Sequence, residues 1–337
     1  MPTHALLVDL SHLIYRSICV PQLAKMRTKQ DKIPTGGIYG VLQSIYKCLE
    51  MDPTINQVYL LRDGYAKWRK DIYPEYKANR DANPESPNYK SYIEPDIYGW
   101  SKKDTLKYTN EIMGKLANNL GMRVIFDDLS EADDLAYLIG RELTESGSKI
   151  TFLTSDKDWL QVINIFPNVR VFDGIKGEFY DKYNFRDIFG YDVKWFIFQK
   201  AMLGDKSDNI QPVVKGCGEK AILKLIELLE SENIDPEDVD FNNKLLYMVN
   251  NLDYNTLGRF KSIKNIDQEA IKTFNLNINL MDFRRCPHSS NLSTTLLQES
   301  NNNVNIKLME AAKLFKELEF SNLGKILLPS SPFYRLS

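Results

Sequence analysis

Short apolar runs alternate with stretches of helical spacing through the first half of the chain. Ala5–Asp9, Val58–Leu61, Arg123–Phe126, Ile150–Thr154 and Val169–Phe172 are rich in β-formers and predict strands. Between them the spacing predicts helices over about 12–19, 38–50, 105–120, 132–145 and 158–163, with Leu135, Leu138, Ile139 and Leu143 on one face of the fourth. Strands alternating with helices predict an α/β fold, a mostly parallel central sheet flanked by helices. From about Tyr183 the strand signal fades. Ala221 to Leu229 reads as a helix, as does 306–320 with Leu308, Ala311, Ala312, Phe315 and Leu318 on one face; Asn301–Asn303 reads as a polar connection. The expected organisation is an α/β unit over 1–182 followed by a helical region over 183–337, without internal repeats.

Composition narrows the class without naming a chemistry. The chain has 337 residues, 43% hydrophobic and 26% charged, ordinary for a soluble globular protein. No run of about 18 apolar residues predicts a membrane span. The N-terminus lacks the basic start and long apolar stretch of a signal peptide, so the expectation is an intracellular protein with no membrane partner. Cys19, Cys48, Cys217 and Cys286 lack paired spacing and read as reduced thiols; Cys286 with His288 is too little for zinc.

The positions of the acids carry more. Asp9 closes the first strand and Asp63 follows the second. After the third comes Asp127-Asp128-Leu129-Ser130-Glu131-Ala132-Asp133-Asp134, and after the fourth Ser155-Asp156-Lys157-Asp158. The carboxyl ends of parallel strands share one edge, where ligands bind. Acids there can be helix caps, as Ser130 with Asp133 or Ser155 with Asp158 would be. Capping does not account for doubled acids at successive strand ends, and convergent carboxylates repel unless cations lie between them. All-oxygen ligation suits Mg2+ or Mn2+. A further motif, Gly204-Asp205-Lys206-Ser207-Asp208-Asn209, places Asp205 and Asp208 on one side if it is helical. If nine acids gather, 45 − 9 leaves 36 acidic against 43 basic residues, an excess of seven positive charges that permits a DNA track despite the net charge of −2.

One residue past Asp63 begins a basic, aromatic stretch: Lys67, Arg69, Lys70, Lys77 and Arg80 interleaved with Tyr65, Trp68, Tyr73 and Tyr76. Cations neutralise phosphates and aromatic faces stack on unpaired bases. Tyr73, Tyr76, Lys77 and Arg80 follow helical spacing and predict a stripe; Asn83 to Pro95, with three prolines, predicts an irregular segment. After Asp208, Lys215-Gly216-Cys217-Gly218-Glu219-Lys220 opens a helix, and a Gly-x-Gly turn there lets backbone N–H groups approach a phosphate.

Taken in order, these residues resemble the flap endonuclease or 5′-nuclease superfamily, which includes the N-terminal nuclease domain of bacterial DNA polymerase I and the phage RNase H type enzymes. The match runs through Asp9, Tyr15-Arg16, Pro34-Thr35-Gly36, Tyr39-Gly40, Asp63, Arg69, Tyr76-Lys77, Arg80, Glu131 to Asp134, Asp156-Lys157-Asp158, Gly204-Asp205, Ser207-Asp208-Asn209, Gly216 to Lys220, and the late Leu314-Phe315-Lys316 with Glu319-Phe320. The resemblance implies a PIN-like nuclease core with a helical arch over about 64–104 and a helix–turn–helix over about 204–230. It implies two Mg2+ ions, replaceable by Mn2+: Asp9, Asp63, Glu131 and Asp133 around one, Asp156, Asp158 and Asp208 toward the other, Asp134 and Asp205 in support. Lys77 and Arg80 match the catalytic cations of the arch. Arg16, Gly36, Gly37, Tyr39, Arg69, Tyr76, Lys215, Gly216, Gly218 and Lys220 are the remaining expected nucleic-acid contacts, with a K+ site at Gly216–Gly218. Gln211 to Lys215 departs from the family pattern by one apparent extra residue.

The implied activity is 5′-3′ exonuclease and flap endonuclease cleavage of flapped, nicked or primer-containing DNA, with RNA–DNA hybrid as a further substrate and single-strand-binding or replication proteins as partners. The absence of a following polymerase domain points to a stand-alone, phage-like enzyme in the cytoplasm of a bacterium or phage-infected host. Two other readings share the acidic sheet edge: a PIN-type ribonuclease, which lacks the Gly204–Lys220 segment and the arch, and a non-catalytic DNA-junction binder, which would have lost several acids.

Overall fold

The structure, a computed structural model, describes residues 3–80, 82–288, 290–302 and 306–336. The strands are β1 (His4–Asp9), β2 (Gln57–Arg62), β3 (Arg123–Phe126), β4 (Lys149–Leu153), β5 (Val169–Asp173) and β6 (Glu178–Tyr180). They form one six-stranded sheet in the order β3-β2-β1-β4-β5-β6. β1 to β5 run parallel and β6 pairs antiparallel with β5. The five predicted strands are present with small changes at their ends. β6 was not expected: three residues at a sheet edge leave almost no periodic signal.

Parallel strands covered on both faces read as continuous apolar runs, and β1 is buried along its whole length. Its alternate side chains feed two cores. Ala5 and Leu7, with Tyr59, Leu61, Ile150 and Phe152, pack toward helix Ala132–Glu145. Leu6 and Val8, with Val58 and Leu60, pack toward helices Gly36–Met51 and Lys102–Asn119. The first core continues without a break into Trp195, Phe198, Ile222, Leu225 and Phe274 of the following helices. The last α-helix among the described residues, Leu308–Glu317, returns to the second core through Ala311 and Phe315.

Local conformation departs from helical spacing for identifiable reasons. Residues 74–79 are turns that follow helix Lys67–Ile72, and the segment expected to be irregular over 83–95 contains a short helix, Tyr89–Ile93. Tyr73 precedes Pro74 and is extended (φ −139°, ψ 96°), as the proline ring demands of its predecessor, and Lys77 takes a positive φ of 57°. Asp205 and Ile210 form an isolated antiparallel bridge, so the acidic motif between them is a tight loop rather than a helical turn. Asn301 closes helix Ser290–Asn302, where its Oδ1 accepts from Arg123 Nε–H at 2.6 Å; Asn303 lies outside the described residues. No helix among the described residues is long and apolar enough to cross a membrane.

Candidate active site

The chain places β2 and β3 on one side of β1, then crosses to place β4 on the other. The switch point between β1 and β4 opens a crevice at their carboxyl ends. Asp9 ends β1 there and caps helix Leu10–Cys19, accepting from His12 N–H at 3.1 Å. Its other oxygen accepts the Thr154 hydroxyl at 3.0 Å. Asp63 follows β2 and accepts from Ala132 N–H at 2.7 Å. Asp133 stands in the first turn of helix Ala132–Glu145 and accepts from Trp159 Nε1–H at 2.8 Å. Asp156 caps the 3-10 turn Lys157–Gln161 through Asp158 N–H at 2.9 Å. Capping and clustering are therefore one arrangement: helix N-termini, whose dipoles favour negative charge, point at the crevice. The serine caps that would have explained the acids without metal do not form. Ser130 donates to Asp127 and Ser155 to Asp173.

Asp9, Asp63, Glu131, Asp133, Asp156, Asp158, Asp205 and Asp208 line a single cleft of about 640 Å³. Its far wall carries cations. Lys77 Nζ donates to Glu131 at 2.6 Å and lies 3.9 Å from Asp208, Arg80 pairs with Asp208, and Lys200 Nζ bridges Asp158 (2.6 Å) and Asp205 (3.1 Å). Burial opposes ionisation of Glu131, yet Lys77 and Arg69 hold its pKa below the usual range; Lys77 and Arg80 do the same for Asp208.

Asp9, Asp63 and Asp133 are less well compensated. Among the described residues none of the three has an ion pair; burial raises the pKa of each, neighbouring carboxylates add to the rise, and Lys77 offsets only part of it at Asp63 and Asp133. Asp158, despite Lys200, is pushed up to about 7 by burial and by Asp156. Carboxylates crowded with too little positive charge to hold them all ionised fit a site for divalent cations, which would restore their ionised forms.

Some expected residues do other work. Asp134 is wholly buried and both its oxygens are taken by Arg69, at 2.9 and 2.8 Å. It is a counter-ion, with no oxygen left facing the cleft. Arg69, 1% exposed, also donates to Glu131 at 3.2 Å and to Leu280 O at 3.0 Å, so it is unavailable to phosphate. Tyr76, 3% exposed, donates to Glu131 or Asp208 (3.0 and 3.1 Å) instead of presenting a face to a base. Gly36 and Gly37 are buried at the start of helix Gly36–Met51, where a Cβ on Gly36 would meet the Leu23 carbonyl oxygen at 1.8 Å. They serve close packing. Tyr39 packs edge-on against Phe320.

Lys215, Gly216, Gly218 and Lys220 are exposed around the N-terminus of helix Glu219–Ser231; Gly216 has φ 83° and Gly218 is the cap. Arg16 is half-buried near the cleft rim beside Ser155. His12 was missed in the sequence, although its position three residues after Asp9 on a helix carried the signal. Donor atoms of Asp9, His12 and Asp156 all lie within 4.8 Å of one another.

Residues 4–190 match the family described as 5′-3′ exonuclease, N-terminal resolvase-like domain. The 5′-3′ exonuclease of Bacillus subtilis is 30% identical over 233 residues, 68% of this chain and 71% of that protein. DNA polymerase I of Caldicellulosiruptor bescii is 30% identical over 248 residues, 70% of this chain. The matches to DNA polymerase I of Rhizobium leguminosarum and of Caldicellulosiruptor bescii span only 20% and 26% of those proteins. Among solved structures, a phage T5 protein co-crystallised with metal ions aligns with a TM-score of 0.60 at 18% identity, over 90% of this chain and 100% of that one. Phage T5 flap endonuclease, in a pseudo-enzyme–product complex with DNA and metal ions, gives 0.58 at 19% identity over 94% and 98%. At these identities the structural likeness is one of fold.

Proposed function

We propose, because this chain belongs to the 5′-3′ exonuclease family, that it is a structure-specific 5′-nuclease acting as 5′-3′ exonuclease and flap endonuclease. Its substrates are flapped, nicked or primer-containing DNA, and the 5′ strand of RNA–DNA hybrid. The observation that carries the reading is the convergence of acids from separate strand ends on one cleft, whose lining also carries Lys77 and Arg80. A non-catalytic junction binder has no use for carboxylates held at such electrostatic cost.

Asp9, Asp63, Glu131, Asp133, Asp156, Asp158 and Asp208 would hold two Mg2+ ions, with Mn2+ able to replace them and Asp205 in support through Lys200. Divalent ions there supply a water of lowered pKa and neutralise charge on the attacking and leaving oxygens. Lys77 and Arg80 add fixed positive charge at the scissile phosphate. Their present partners, Glu131 and Asp208, hold them at the cleft until a phosphate competes. Lys215 and Lys220 flank a helix N-terminus that can take a duplex phosphate, and the Gly216–Gly218 turn would offer carbonyl oxygens to K+. That the fold neighbours were crystallised with metal ions and with DNA supports this assignment.

A 5′-labelled flap substrate tests it. Cleavage near the junction is expected with Mg2+, none with EDTA, and none from Asp156→Asn at unchanged far-UV circular dichroism. Undiminished cutting by the Asp156→Asn protein, or in EDTA, refutes the proposal.

A further inference from the structure

We propose that His12 is a nitrogen donor to the ion held by Asp9 and Asp156, so that this position prefers transition-metal divalent ions of the Mn2+ and Zn2+ class over Mg2+. The inference rests on the reading of the cleft as a metal site and adds a ligand that the acidic pattern does not contain.

Local geometry delivers the ring. Helix Leu10–Cys19 starts directly from Asp9, and His12 is in its first turn, its N–H donating to Asp9. Its side chain reaches across the switch point to β4's end, where Nδ1 stands 3.8 Å from Asp156 Oδ2. That separation is too long for a hydrogen bond, so the acid does not satisfy the ring. Nε2 is enclosed and makes no hydrogen bond. Nδ1 is therefore the ring atom that faces the acids as a free donor, and the enclosed Nε2 would carry the ring proton. Donor atoms of Asp9, His12 and Asp156 lie within 4.8 Å of one another. Two ligands each about 2.0–2.2 Å from one ion sit roughly 3–4 Å apart, so small side-chain rotations close the set.

The donor type sets the preference. Mg2+ binds oxygen and keeps its waters, whereas imidazole suits the later first-row ions. An Asp–His–Asp group therefore discriminates among ions in a way that carboxylates alone do not. Among the described residues His12 is the one histidine in the cleft lining and it groups with Asp9 and Asp156, which leaves Asp158, Asp205 and Asp208 with the harder preference.

Co2+ is the probe, because its visible absorption and its hyperfine-shifted proton signals report nitrogen ligation. In the wild-type protein, titration with Co2+ is expected to give a saturable visible band and one shifted, exchangeable imidazole N–H resonance. His12→Gln should lose that resonance and bind Co2+ and Zn2+ roughly tenfold or more weakly, since loss even of a group behind a ligand costs about 10–100-fold. Mg2+ binding should change less than about twofold by the same argument. Wild-type Co2+ protein lacking the shifted N–H, or His12→Gln binding Co2+ as tightly as wild type, overturns the assignment of His12 and leaves the acidic site standing. Wild-type protein that binds neither Co2+ nor Mg2+ overturns both. The resonance is read on the wild-type protein, so the test survives if the variant does not fold.

Discussion

Asp134→Asn separates scaffold from ligand. The substitution keeps the shape of the side chain and removes the charge that faces the Arg69 guanidinium, which is 1% exposed. Arg69 would retain Glu131 at 3.2 Å and the Leu280 carbonyl at 3.0 Å, but lose the two-pronged contact at 2.9 and 2.8 Å. Breaking one partner of a buried pair costs about 3–5 kcal/mol, and the surviving Glu131 contact places the expectation near the lower end. At about 2–4 °C per kcal/mol for a chain of this order of size, the metal-free protein should melt roughly 6–12 °C below wild type. Urea denaturation should report the same loss. Folded Asp134→Asn at low temperature should still bind Mg2+, measured by calorimetry, because no Asp134 oxygen reaches the cleft. A variant that melts within about 1 °C of wild type, yet no longer binds Mg2+, would refute the counter-ion role and make Asp134 a ligand.

Other outcomes follow from the same electrostatics. Asp9, Asp63 and Asp133 have folded pKa values raised above their unfolded ones, and Asp158 is raised to about 7. Such groups contribute stability at low pH that is lost as pH rises from the ordinary carboxylate range through about 7, so EDTA-treated protein should lose melting temperature across that window. Mg2+ should reverse the loss, while Glu131, Asp205 and Asp208, shifted downward, act in the opposite sense only at more acidic pH. Lys77→Met and Arg80→Met should each slow single-turnover cleavage by about 10²–10³ while Mg2+ binding is retained or tightened, since Glu131 and Asp208 lose a competing cation. Lys215→Glu and Lys220→Glu should each lower the slope of log affinity for duplex DNA against log salt by about 1, without altering the metal titration.

How far the sequence could be read depended on what each feature leaves in a linear pattern. The parallel strands are buried on both faces, and their apolar runs are dense enough to see. Acids that follow those strands are bound to share an edge, so Asp9, Asp63, Asp133 and Asp156 could be assigned together before any coordinates. Neighbouring letters in a motif do not say which side chain turns inward. Asp133 and Asp134 are adjacent on a helix, and one faces the cleft while the other faces Arg69. Tyr76 and Lys77 differ in the same way. The stripe from Tyr73 to Arg80 had helical spacing, but Pro74 forces Tyr73 out of the helical region and the spacing loses its meaning. Helical spacing already sets His12 beside Asp9, but its approach to Asp156, 144 residues further along, depends on the β1–β4 pairing.

Anomalous diffraction from crystals grown with Mn2+ tests most directly whether these acids share cations. Peaks are expected inside the cleft, the first within bonding distance of Asp9 and Asp156 and the second toward Asp158 and Asp208. Ordered Mn2+ elsewhere on the molecule, with none in the cleft at a concentration that supports cleavage, would contradict the account.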